Sequence, residues 1–543
     1  MLQIILACAL HALIVAASVC AQDTGPAAAA QLPQLVVVVA VDQLAEWTYQ
    51  EARPFFGADG FARLEREGQR WNNCSFKHAV SQTAPGHATM ATGVIPALHG
   101  ITGNNWHDNK GAKFYCCADA AAKTPLGAKT GENLGPAQLL VPTVAERMRA
   151  HFGPACFTAC VGWKDRAAIL LGGRTHIALW IDAEGNFTTS TAYVPELPPW
   201  VRALNSPVPA AALHSGKQWV RCGPDAAYAG LIDDRSFEPA AGGTRTLPRP
   251  VGKADAAPDI SAVGNSPFAL DVVLQGTSAV LAAMPLGRDA TPDFLGVAFS
   301  PVDAVGHNFD PTSVEVRDVI LATDKAVAQL LAMLDARVGL DKCLIIVCAD
   351  HGITPAPEVL AARGMPGGRG SYGSEAAKIA NRTLVAAFGE PPAPHKRFVI
   401  TGTTGGVLLD EAALLAAKHS SEEAALLAAA ALQREAWIEL AVARTLCAKD
   451  AAAERDPQRK QVLNALVAAT HPERSGHVLY ALKSGFIESG SLASHGSPHE
   501  SDCAVPLIVR GGGMPAGSVD AAPVAPTLIA AILARNLGLP PLP

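Results

Sequence analysis

Positive charge is in short supply in this chain. Against 49 Asp and Glu it carries 43 Lys and Arg, a net charge of −6. Non-specific nucleic-acid binding needs a basic surface, so that class is excluded. An anionic substrate would have to be met by local positive charge, such as metal ions. Aromatic residues are sparse as well, at 6% of 543 residues, while 49% are hydrophobic. A large core built from Ala, Val and Leu follows. No C-x-x-C pair occurs, which argues against a cysteine zinc site. G-x-S-x-G, Walker and H-E-x-x-H motifs are missing too, so the serine-elbow, P-loop and zincin mechanisms fall away. After residue 21 no apolar run is long enough to span a bilayer.

Residues 1–21 read as a secretory signal. IILACALHALIVAASV is the apolar stretch, and Val19-Cys20-Ala21 fits a small-x-small cleavage site before Gln22. The segment before the apolar stretch lacks Lys and Arg, and the alternative is an uncleaved N-terminal anchor. Val19 disfavours lipid modification of Cys20. The expectation is a periplasmic or secreted protein without stable membrane insertion once the signal is removed. Of 12 cysteines, Cys8 and Cys20 lie in this segment, which leaves ten. An oxidising compartment permits disulfides, but ten cysteines allow too many pairings to choose among. Cys343 and Cys348 share one core strand and read as buried thiols.

Strand-like apolar runs recur at 34–41, 156–162, 293–299, 343–349 and 505–509, with helical patterns between them at 312–336 and 521–537. Alternating strands and helices predict an α/β fold, a mostly parallel sheet covered on both faces. Two stretches interrupt the alternation within the 22–543 domain. Residues 183–290, rich in Pro, Ala and Gly with Trp200 and Trp219, read as an inserted cap over the active face. Residues 353–490 read as a second, partly helical insertion, loop-like at first and then a surface helix pair centred on EEAALLAAAALQREAWIELAVARTL. GRGSYG at 368–373 spells G-x-G-x-x-G, but no strand is predicted before it, so it reads as a flexible loop.

Ligands collect at the carboxyl ends of parallel strands, and there the chain repeats one chemical theme. Asp42 ends LVVVVAVD, Asp303 and His307 follow FLGVAF, and CLIIVCADHG delivers Asp350 and His351 side by side. His495 lies in SHGSPH, with His499 a weaker competitor. Three aspartates and three histidines suffice for two metal ions. Mixed Asp and His donors suit zinc best, with manganese open. The D-x-x-x-H spacing puts Asp303 and His307 on one face of a helix, though alone it is a weak signal. Thr83, in SQTAPGHATMATG, is the candidate nucleophile, with Pro85 near a helix start; by itself it reads as well as an ordinary N-cap. His87 and His99 read as structural. Lys164 and Arg166, in CVGWKDRAAIL, offer a point charge and a planar fork for phosphate oxygens. Two dications against three aspartates, plus these two cations, leave a net of about +3. That suits a phosphate monoester dianion better than a singly charged diester. Tryptophans 180, 200 and 219 offer a stacking surface for a nucleobase, although isolated tryptophans are more often core.

These residues resemble the alkaline phosphatase superfamily, and more narrowly the monomeric phosphate-irrepressible bacterial alkaline phosphatases of the type I phosphodiesterase/nucleotide pyrophosphatase-like group. The likeness runs through VDQ at 41–43, SQTAPGHATMATG, HGITGNNWHD, GWKDRAAIL, SPVDAVGH, ADHG, SHGSP and APVAPTLIAAIL. It is thinnest in the cap and in 353–490. The resemblance implies a three-layer α/β/α sandwich and a secreted monomer acting on phosphate monoesters. It implies two Zn2+, one held by Asp303, His307 and His495, the other by Asp42, Asp350 and His351 with Thr83 as fourth ligand. Thr83 would form a phospho-threonine intermediate, and Asn104, Lys164 and Arg166 would bind the phosphoryl oxygens. Sulfatases share the fold but carry C/S-x-P-x-R where this chain has Thr83-Ala84-Pro85-Gly86-His87. LAEWTYQ after Gln43 departs from the monoesterase pattern. The alternatives are a phosphodiesterase or nucleotide pyrophosphatase on the same scaffold, and a phosphate-binding metalloprotein without chemistry.

Overall fold

The computed structural model describes residues 32–123, 133–241, 243–253 and 256–540, so the expected signal at 1–21 lies outside the described residues. The strand Leu35–Val41, sequence LVVVVAV, is buried at every position. Alternate side chains of a strand point to opposite faces, so complete burial means that both faces are covered. It is the middle strand of a nine-stranded sheet. Asp293–Phe299 and Cys343–Cys348 flank it, both parallel to it. Thr158–Gly162 and then Ile177–Ile181 continue the parallel array beyond Asp293–Phe299. On the other side Leu507–Arg510 runs antiparallel to Cys343–Cys348.

Two groups of helices cover the sheet. Thr83–Thr92 packs with Asp165–Gly172, Val144–Phe152 and Leu528–Leu537; Val314–Arg337 packs with Phe268–Ala283 and Pro301–Phe309. The covered parallel sheet expected from the alternation, and the three-layer α/β/α sandwich implied by the resemblance, are therefore present. The helix expected from residue 521 begins at Leu528, because Pro523 and Pro526 restrict the backbone ahead of it. No helix among the described residues is long and apolar enough to cross a membrane. All ten described cysteines are free thiols, so the disulfides that secretion would permit are not formed here.

The stretch 353–490 is more than a helix pair. It holds a four-stranded antiparallel sheet of Val399–Thr403, Gly406–Leu409, Val478–Leu482 and Ile438–Ala443. The helices Tyr372–Phe388 and Ser421–Leu432 supply a separate hydrophobic core with it, and Arg444–Ala453 and Pro457–Ala469 supply another. The Ala-rich run thus breaks into helix, strand and helix. Ile438, Leu440 and Val442 alternate with less buried neighbours, the period-2 pattern of a strand. GRGSYG is likewise ordered: Gly368–Gly370 pairs with Phe486–Glu488 and leads into the helix Tyr372–Phe388.

The stretch 183–290 departs from a simple cap. Its last part, Phe268–Ala283, is one of the helices on the main sheet. Its middle grips the helix Val314–Arg337: Trp219 Nε1 donates to Asp318 at 2.7 Å, and Arg249 pairs with Glu315. Trp180 and Trp219 are core residues, each 3% exposed, which removes both as stacking surfaces.

Candidate active site

Four parallel strands end together, and the site stands on their carboxyl ends. Asp42 follows Leu35–Val41 directly, and Asp350 and His351 come just after Cys343–Cys348. Lys164 follows Thr158–Gly162, while Asp303 and His307 lie on the helix Pro301–Phe309 that leaves Asp293–Phe299. The four-residue spacing sits on one helical turn, as predicted. His495 reaches the same place from the far end of the chain.

The three imidazoles share one arrangement. His351 Nδ1 lies 2.9 Å from Gly352 O, His307 Nδ1 2.9 Å from Ala493 O and His495 Nδ1 2.6 Å from Ser81 O. A carbonyl oxygen only accepts, so each Nδ1 carries the proton and each Nε2 presents a lone pair. Those lone pairs point at carboxylates and at each other. His307 Nε2 and His495 Nε2 are 3.2 Å apart, and Asp303 Oδ1 is 3.2 Å from the first and 3.5 Å from the second. His351 Nε2 is 3.5 Å from Asp42 Oδ1 and 3.6 Å from Asp350 Oδ2. The buried His351 Nε2 and Asp42 Oδ1 have no hydrogen-bond partner. Lone pairs crowded this closely repel unless a cation or a proton lies between them. Asp42, Asp350 and His351 offer donor atoms within 4.8 Å of one another, and so do Asp303, His351 and His495. The donor set fits divalent metal ions, with the histidine rings oriented by main-chain acceptors as metal-bound imidazoles usually are.

Burial opposes charge on His495, but its contact with Asp303 outweighs burial and raises that imidazole's pKa; the other groups fit a metal-ready donor set. Burial, then Asp303 and Asp350, push the Asp42 carboxyl up to about 6. Burial and the neighbouring His495 keep His351 well below the usual imidazole range, hence neutral. Burial opposes charge on Asp303, yet Lys164 and the His307 and His495 rings hold its carboxyl well below the ordinary value. Lys164 Nζ stands 2.6 Å from Asp42 Oδ2 and 2.5 Å from Asp303 Oδ2. It was expected to face phosphoryl oxygens; here it bridges the two carboxylates. Arg166 makes no ion pair among the described residues, and its buried Nε has no partner.

Thr83 is the first residue of the helix Thr83–Thr92, with Gln82 as N-cap and no side-chain cap bond. Its hydroxyl is therefore not engaged as an ordinary cap. Asn104 Oδ1 accepts from Ala84 N at 2.9 Å, which fixes the amide beside Thr83. Asn104 N in turn donates to Gln82 Oε1 at 2.9 Å. Thr83–Thr92 packs on Asp165–Gly172, the helix that carries Arg166. Gly86 allows the helix to come this close: a Cβ there would stand 2.0 Å from Asp350 O.

Two residues without an assigned role join the site. Gln43, at φ 68°, donates from N to Asp350 Oδ1 at 3.0 Å and from Nε2 to Asp303 Oδ1 at 2.6 Å. Nothing in the sequence signals that left-handed turn. His87 Nδ1 is 2.9 Å from Thr83 O and 3.0 Å from Asp350 Oδ2. Burial opposes its charge, but the Asp350 and Asp42 carboxylates outweigh burial and raise its pKa. Its place four residues after Thr83 was the available hint. His499 bonds to Leu482 O instead, at 2.8 Å, and His99 to Thr89 Oγ1 at 3.1 Å.

Strand-end carboxylates and imidazoles in two adjoining sets, with a hydroxyl at a helix N-terminus beside them, define an α/β fold of the alkaline phosphatase superfamily. The profile of the type I phosphodiesterase / nucleotide pyrophosphatase family matches residues 36–364, and the chain belongs to that family. It is 35% identical over 345 residues to alkaline phosphatase PhoV of Synechococcus elongatus, covering 62% of each chain. It is 29% identical over 523 residues to alkaline phosphatase PafA of Elizabethkingia meningoseptica, covering 94% of this chain and 92% of that one. The crystal structure of wild-type PafA superposes with a TM-score of 0.86 at 26% identity, covering 95% of this chain and 97% of the other.

Proposed function

We propose that this chain is a phosphoric monoester hydrolase of the alkaline phosphatase kind, acting in the periplasm or outside the cell as a zinc enzyme. The observation that carries the reading is the set of three Nδ1-donated imidazoles whose Nε2 lone pairs converge on three aspartates beside an unengaged threonine hydroxyl. Asp42, Asp350 and His351, with Thr83, would hold one zinc, and Asp303, His307 and His495 the other. Bound zinc supplies Lewis-acid polarisation and lowers the pKa of a coordinated oxygen. Thr83 Oγ attacks phosphorus and the ester oxygen leaves, which gives a phospho-threonine; water then displaces Thr83 and releases phosphate. Asn104 and Arg166 hold the non-bridging oxygens, with the helix N-terminus adding positive potential. Lys164 bridges Asp42 and Asp303 and offsets one of their charges; its charge is already counted in the site's net of about +3 with two dications, which favours a dianion.

The test is paired kinetics on zinc-loaded protein with an aryl phosphate monoester and its methyl diester. A strong monoester preference in kcat/KM is expected. A diester preference would move the chain to the phosphodiesterase branch.

A further inference from the structure

Cys116 and Cys117 are adjacent in the chain and fully buried, at 0% exposure each. They follow the strand Lys113–Tyr115 and fill the middle of a turn closed by Ala118 N donating to Tyr115 O at 3.0 Å. In an extended strand successive side chains diverge. The turn instead swings both to one side, and the two Sγ atoms are 3.9 Å apart. The pair backs directly onto the site. Cys116 N donates to Asn104 O at 3.1 Å, and Gly135 N donates to Cys117 O at 2.9 Å. Tyr115, the preceding residue, donates from its hydroxyl to Asp165 Oδ1 at 2.6 Å, and Asp165 is the chain neighbour of Arg166. The contacts run as a chain from Asn104, whose side chain holds Ala84 N, through Cys116 and Tyr115 to Asp165, the neighbour of Arg166.

We propose that Cys116 and Cys117 are a redox modification site: a vicinal dithiol that closes to a disulfide by exchange with a small-molecule disulfide, and whose closure displaces Asn104 and Arg166. One protein thiolate attacks the oxidant's sulfur and expels a thiolate, leaving a mixed disulfide. The other protein thiolate then attacks the cysteine sulfur of that mixed disulfide and expels the second thiolate. The two thiol protons end on the two released small thiols, and two electrons pass to the oxidant. Closure must shorten the Sγ separation to about 2.05 Å. Neighbouring Cα atoms stand about 3.8 Å apart across a trans peptide, short of the ~4.4–6.8 Å that disulfides favour. The ring is strained and therefore easily reduced, the property of regulatory rather than structural disulfides. Burial, reinforced by Cys116, pushes the Cys117 thiol well above its ordinary value, so the closed fold protects the dithiol and reaction accompanies folding or local opening.

The bond itself is independent of the function proposed above; its effect on turnover rests on that reading. Full-length protein with metal restored after treatment is compared after exposure to oxidised glutathione and after reduction by a phosphine. The expected result has two parts. The peptide carrying Cys116 and Cys117 loses two hydrogens, seen by mass spectrometry without reduction. Monoester kcat/KM falls about tenfold and recovers on reduction, in line with the up to ~100-fold cost of a ~1 Å misplacement at a site. C116S and C117S each keep the reduced enzyme's activity and lose the response. A C74S/C348S double variant, which removes the other neighbouring thiol pair, keeps it. No hydrogen loss at Cys116–Cys117, or a response that survives in C116S, overturns the proposal. Hydrogen loss with unchanged kcat/KM overturns the coupling to Asn104 and Arg166. A reduced enzyme inactive on monoesters would instead defeat the functional reading while the mass result stood.

Discussion

His307 Nε2 faces His495 Nε2 across 3.2 Å, with the other nitrogen of each ring donated to a main-chain carbonyl. Neither nitrogen has a proton to share in that state. The approach is stable only with a cation between them, or with one ring protonated against Asp303. Prolonged chelation should therefore remove two zinc ions per chain and abolish turnover, and zinc should restore both. It should also lower the melting temperature, because a bound ion stabilises only the folded state. Elemental analysis beside calorimetry checks this; an unchanged melting temperature and full activity without metal would sink the two-ion reading.

Thr83→Ala should lower monoester turnover by at least about a thousandfold, the scale seen when a nucleophile is deleted. Zinc content should stay near wild type, since the six Asp and His donors remain. Rapid acid quenching followed by peptide mapping should find phosphate on Thr83 in the wild type and on no residue of the variant. Turnover at the wild-type rate would refute covalent catalysis.

Arg166 and Lys164 should separate. Arg166→Ala removes a cation that makes no ion pair among the described residues, so monoester kcat/KM should fall by about 2–4 kcal/mol of transition-state stabilisation, and diester kcat/KM by much less. Lys164→Ala strips Asp42 and Asp303 of their counter-ion. Its larger effect should be on the metal-free protein, whose buried carboxylates then repel each other. Thermal melts with and without zinc, read beside the two rate ratios, make the distinction; identical profiles for the two variants would contradict it.

Glu238 predicts a pH effect away from the site. It is 2% exposed, both carboxylate oxygens lack a hydrogen-bond partner, and burial followed by Glu315 pushes its pKa up to about 8. An acid with a raised folded pKa is neutral in the fold while the unfolded chain already releases its proton. Stability is therefore lost as pH rises from the ordinary glutamate value of about 4.3 through that folded value. Glu238→Gln should gain melting temperature over wild type progressively across this window and gain little below it. A gap that does not vary with pH would show that Glu238 is ionised in the fold throughout.

Much of the sheet was legible because its strands are extreme. LVVVVAV, FLGVAF and CLIIVC are buried on both faces, and short continuous apolar runs bounded by polar residues are the mark of a buried strand. The short strands Gln69–Trp71 and Ser518–Asp520, the latter at the sheet's edge, were not legible, being three residues each and defined by their partners. The second sheet hid because Ile438–Ala443 lies between Ala-rich helices, whose propensity masks a brief alternation. Lys164 was legible as a cation near the strand ends, but not as a bridge between Asp42 and Asp303, since that depends on distances across three strands.

The sequence by itself determined which side chains carry chemistry and that they stand at strand ends: each aspartate follows its own apolar run, and that local order survives folding. Only the tertiary structure decided how they act together. Parallel register aligns Val41 with Phe299 and Ala40 with Cys348, so strand ends hundreds of residues apart become neighbours. The left-handed turn at Gln43, the close approach permitted by Gly86 and the carbonyls that set each histidine tautomer arise from that packing. They are relations between distant segments, and no local pattern of residues encodes them.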